Sequence, residues 1–138
     1  MKPSTGSATY WTLTTLGVLG GAVGVLGVLS PRRQLRLSGF ADPAERAAAD
    51  HTPAVLGSSS VAAIGEGAAY LVGAANAWPG FPGYVLGRRL LMAGGLAGLA
   101  ATGRAPRSFF GAALWEALGA AAIGVASWRD RRTATRPA

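Results

Sequence analysis

Four long apolar runs, each close to the length of a bilayer crossing, leave this chain few folds to choose from. They lie at about 8–30, 53–78, 84–102 and 108–128. A hydrocarbon core is spanned by ~20 apolar residues in a helix. Within lipid the backbone must satisfy its own hydrogen bonds, which points short runs like these to helices. The expected fold is therefore all-α: an integral membrane four-helix bundle forming a single transmembrane domain over 1–138. A polar loop at 31–52 and a basic tail at 129–138 would lie outside it. Half of the 138 residues are hydrophobic and only 14% are charged, whereas soluble domains carry about 25% charged residues.

The first run holds no charge. It is too long for a signal peptide and no A-x-A-like site follows it, so it reads as a retained helix. Tyr10 and Trp11 sit at its start, where aromatic residues meet the membrane interface. Gly17, Gly20, Gly21 and Gly24 give small-residue spacing that lets helix backbones approach closely. The partner is either another helix of the chain or a second copy in a homo-oligomer. Pro31-Arg32-Arg33 reads as a stop. In the loop, Asp42 and Pro43 suit the cap and first position of a short surface helix. Ser58, Ser59 and Ser60 read as hydrogen-bonding glue for the second helix. Residues 77–84, AWPGFPGY, read as a tight interfacial turn.

The net charge is +7, from 13 basic and 6 acidic residues. The arginines gather at the ends of apolar runs, which points to lipid headgroups rather than nucleic acid. There is no cysteine, hence no disulfide or thiolate site. The lone His51 has no partners of the kind a metal site needs. The glycine run of the first helix lacks the Lys-Ser/Thr ending of a phosphate loop. No cofactor motif is visible, and none is expected.

Charges inside the apolar runs carry the functional signal. Glu66 lies near the middle of the second run and Glu116 near the middle of the fourth. Arg88 and Arg89 lie ~6–8 Å off the middle of the third at 1.5 Å per residue. An ionised group at such a depth costs at least ~2.5–3.5 kcal/mol on insertion scales, so by default it is paired and functional. The spacing predicts a Glu66–Arg–Glu116 cluster between the second, third and fourth runs. Arg88 and Arg89 stand ~100° apart around a helix. One is expected to face the centre and the other to snorkel towards headgroups.

Two carboxyls in different surroundings make an acid–base pair. The expected function is isomerisation, cyclisation or epoxide opening on a lipophilic small molecule. Glu66, Glu116, Arg88 and Arg89 are the expected catalytic set. Tyr70, Tyr84, Trp115, Ser59, Asn76 and Met92 are the expected substrate contacts. Two other uses of the same residues stay open: a proton-coupled small transporter, and a structural or accessory subunit with a buried Glu–Arg network. The expected location is a bacterial inner membrane.

The order of features resembles the small four-helix membrane proteins called DoxX-like. The resembling parts are Ser30-Pro31 after the first helix, Leu37-Ser38-Gly39-Phe40, Gly87-Arg88 in the third helix and a late polar residue in the fourth. The resemblance implies a four-helix fold. In size the chain is also similar to small multidrug-resistance transporters. Their functional Glu lies in the first helix, and here that helix is uncharged.

Overall fold

The computed structural model describes residues 6–40 and 50–135. Among these residues the protein is all-helical, with five helices. They are α1 (Ala8–Leu29), α2 (Pro31–Leu37), α3 (Thr52–Ala75), α4 (Phe81–Ala101) and α5 (Phe109–Ala134). Three of them, α1, α3 and α5, are long and apolar enough to cross a membrane. That makes this a membrane protein by the length and composition of its helices. The 21-residue α4 has the length too. Arg88 and Arg89, both strongly hydrophilic, lower its mean hydropathy. Large apolar side chains cover the outer faces, among them Val23, Leu29, Leu91 and Leu118. Such a surface suits lipid better than water.

The long helices pack as two antiparallel pairs, α1 with α3 and α4 with α5, and α1 also meets α5. Glycine makes the first pairing close. A Cβ on Gly67 would stand 2.6 Å from the carbonyl oxygen of Gly17 and 2.9 Å from Cα of Gly21. One on Gly24 would stand 2.7 Å from the carbonyl oxygen of Ser60. The face of α1 that carries Gly17, Gly24 and Gly27 is therefore occupied within the chain, by α3 and α2. The core of Leu13, Leu16, Tyr70, Ala74, Val85 and Ile123 draws on all four long helices. It lies towards the end where α1 begins and α5 finishes.

Several boundaries differ from the sequence expectation. Pro31 does not stop the chain; it opens α2. Ser30 leaves helical geometry at φ −137° and ψ 66°, and proline is tolerated at a first helical position. Leu35 of α2 is buried, and Gln34 Nε2 donates to Ser60 Oγ and to the Leu56 carbonyl, 3.2 Å away. Only Ser60 of the serine triplet bridges helices; Ser58 and Ser59 bond back to the Val55 carbonyl. The expected helix start at Asp42-Pro43 falls outside the described residues. His51 is an exposed residue before α3. The turn between α3 and α4 covers only residues 76–80, with Ala77 and Gly80 at positive φ.

The basic tail is helical as far as Ala134. Arginine favours helix, and Asp130 gives this extension something to hold. Its two carboxylate oxygens accept the backbone N–H of Ala8 at 2.9 Å and of Thr9 at 2.8 Å. Those are two of the donors that the start of α1 cannot satisfy itself. The last turns of α5 thus clasp the first turn of α1.

Candidate functional site

Each charge of the expected cluster sits on a helix whose packing aims it at an opposite charge. Arg88 on α4 pairs with Glu66 on α3, through Nη2 and Oε1. Arg89 Nη1 donates to Glu116 Oε2 on α5 at 3.1 Å. Arg89 Nε donates to the Tyr70 hydroxyl on α3 at 3.0 Å. Arg89 is only 3% exposed. Its guanidinium carbon lies 5.4 Å from the Tyr70 ring centre and 5.9 Å from that of Trp115, inside the range of cation–π attraction. Gly119 leaves the space: a Cβ there would stand 2.5 Å from Arg89 Nη1 and 2.9 Å from its Cζ.

The expectation that one arginine would snorkel is corrected here. Neighbouring residues do point ~100° apart, but α4 has a carboxylate on each side of it. One direction leads to Glu66 on α3, the other to Glu116 on α5. Both charges are compensated, as the cost of burying an unpaired ion demands.

Beside this network lies a cavity of about 500 Å³, within the roughly 300–1,000 Å³ of small-molecule sites. On the polar side Glu66, Tyr70, Arg89 and Glu116 line it; Leu16, Leu19, Val23 and Trp115 line it from α1 and α5. These positions lie well inside their helices, away from the helix ends. Leu19 and Val23 on α1, and Ala112 and Trp115 on α5, are exposed. The mouth therefore opens sideways between α1 and α5. The two helices meet near Thr9 and Ser127 and part towards Val23 and Ala112.

Of the expected substrate contacts, Tyr70 and Trp115 line this cavity; Tyr84, Ser59, Asn76 and Met92 do not. Tyr84 is 66% exposed and stacks on Phe81. Ser59 faces outward. Asn76 caps the end of α3 by donating to the Val72 carbonyl. Met92 lies on the outer side of α4. Two glycines take part in ways the sequence does not show: Gly119 makes room for the Arg89 guanidinium, and Gly20, expected at a close helix contact, instead lines the cavity with open space above its Cα.

Among the described residues no group of acidic, histidine or cysteine side chains could hold a metal ion. No family model, no curated protein and no solved structure matches the chain.

Proposed function

We propose that all four long helices cross the bilayer and that the protein performs proton-transfer chemistry on a lipophilic small molecule held in this cavity. Compensation supports placing α4 in the membrane: Glu66 and Glu116 supply one carboxylate for each of its arginines. The observation that carries the functional reading is the cavity itself. It brings both carboxylates to the wall of an apolar space that opens towards lipid.

Each ion pair engages one carboxylate oxygen. Among the described residues the second oxygen of Glu66 and that of Glu116 accept no hydrogen bond. Such an oxygen is free to work on a bound molecule. In the isomerisation of an olefin activated by an adjacent electron-withdrawing group, Glu66 removes the acidified allylic proton and the C–H electron pair moves the double bond. The proton is then returned at the far carbon, so neither cofactor nor redox partner is consumed. Cyclisation and epoxide opening call on the same pair. Trp115, at the mouth, supports passage of an apolar molecule from the bilayer.

The test uses purified protein in detergent, heavy water and a panel of lipophilic olefins and epoxides, read by mass spectrometry. The wild type should give a product carrying deuterium. Glu66→Gln should reduce conversion by about 10²-fold or more, in line with the loss of a general base, while melting as a folded protein. Undiminished conversion by Glu66→Gln would refute the proposal.

A further inference from the structure

The polar wall of the cavity is electrically balanced but rich in hydrogen-bond donors. Glu66, Glu116 and Arg89 line the cavity, and Arg88, which does not, pairs with Glu66 from behind, so the four-residue cluster has no formal net charge. A cation or an anion entering here would leave water and headgroups without gaining an uncompensated partner, and desolvating an ion is costly. A pure hydrocarbon would leave the polar wall unused.

The donors are specific. Arg89 uses Nε on Tyr70 and Nη1 on Glu116. Its Nη2 has no hydrogen-bond partner among the described residues, and Arg89 lines the cavity. The Tyr70 oxygen accepts from Arg89, so its own proton remains to be donated. No acceptor for that proton is present among the described residues. Two donors thus come from adjacent side chains of the polar wall, beside the carboxylates of Glu66 and Glu116, in a space otherwise lined by glycine and by aliphatic and aromatic side chains.

We infer that the ligand of this cavity is an uncharged lipophilic molecule with one hydrogen-bond-accepting oxygen, a ketone, enone or epoxide, held by Arg89 and Tyr70 with its hydrocarbon part towards the α1–α5 mouth. This rests on the cavity being the substrate site, and it names the substrate class. It also places the oxygen where negative charge would develop once a carboxylate removed a proton nearby. Arg89 and Tyr70 would then stabilise that charge as fixed donors.

The experiment measures binding alone, so it is separable from turnover. Wild-type protein in nanodiscs is titrated with a chain-matched series: an n-alkane, a methyl ketone, a terminal epoxide, an alkylammonium and an alkanoate. Binding is read by calorimetry and by the shift in melting temperature. The ketone and epoxide should bind on the order of tenfold tighter than the alkane, the return on one or two net hydrogen bonds. The two ions should bind no better than the alkane. Tyr70→Phe should bring the ketone down towards the alkane and leave alkane binding unchanged. Tyr84→Phe, outside the cavity, should leave the whole series unchanged. Gly20→Leu fills the cavity from a position with open space and should weaken ketone and alkane alike. Equal binding of ketone and alkane by the wild type would overturn the inference, as would tighter binding of either ion. Should Tyr70→Phe not fold, the wild-type series and Gly20→Leu still decide it. Selective ketone binding without any conversion would sink the proton-transfer reading and leave this inference standing.

Discussion

Gly119→Ala sets two opposing effects against each other, and the structure says which one wins. In an ordinary helix interior the change favours folding by up to about 1 kcal/mol, because glycine is the poorer helix former. Here the new methyl would stand 2.5 Å from Arg89 Nη1, 2.9 Å from Cζ and 3.2 Å from Cδ. A guanidinium can normally swing away at little cost. This one is held at 3.0 Å by Tyr70 and at 3.1 Å by Glu116. Moving it sacrifices at least one charge-assisted hydrogen bond, about 1.5–3 kcal/mol. Set against the helix gain, the net loss is about 0.5–2 kcal/mol, or a drop of a few degrees in melting temperature. The assay is thermal unfolding in detergent for Gly119→Ala, with Gly94→Ala and Gly95→Ala as references. Nothing lies within 4 Å of a Cβ at those two positions, so they should be neutral or stabilising. In an Arg89→Met background Gly119→Ala should lose its penalty and keep the helix gain, so the double-mutant cycle should return the hydrogen-bond cost itself, a coupling of about 1.5–3 kcal/mol. If Gly119→Ala stabilises the wild type as Gly94→Ala does, the guanidinium is not locked, and the network described here is wrong.

Gly67→Ala should be far worse, because the atoms it meets are the backbone of Gly17 and Gly21. Failure to purify folded Gly67→Ala beside a well-behaved Gly65→Ala, which has open space, is the expected result. Asp130→Ala should cost about 1 kcal/mol as a lost helix cap, and faster hydrogen exchange at Ala8 and Thr9 would show where the loss falls. Arg88→Leu leaves Glu66 without its partner and should lower the melting temperature. Adding Glu66→Leu should recover most of that loss, since a half-buried pair is replaced by apolar groups; no recovery would show that the pair is not the source.

The sequence made the spans legible because lipid imposes a length and a composition on them. It made the places of Glu66, Glu116 and the two arginines along their helices legible because a helix rises evenly. The partners were harder. A wheel of one helix shows that Arg88 and Arg89 point apart but not that helices stand on both sides. The α2 helix was hidden because proline reads as a break when it can equally be a beginning. The length of α5 was hidden because its last turns are held by a contact 121 residues away in sequence, from Asp130 to Thr9. Ser59, Asn76, Tyr84 and Met92 were expected at the site, and their helices turn them elsewhere.

The clasp between Asp130 and the start of α1 makes the bundle a wedge. The two helix pairs are fastened at the end that holds the core, and the cavity lies where α1 and α5 part. From Ile123 near the fastened end to Ala112 at the mouth, α5 rises about 16 Å, so a tilt of about 10° moves the mouth by about 3 Å. Labels at Val23 and Ala112 would read that movement as a distance. A small adjustment of packing around Ile123 is thereby geared up into the difference between a slot that admits a hydrocarbon chain and one that shuts it out.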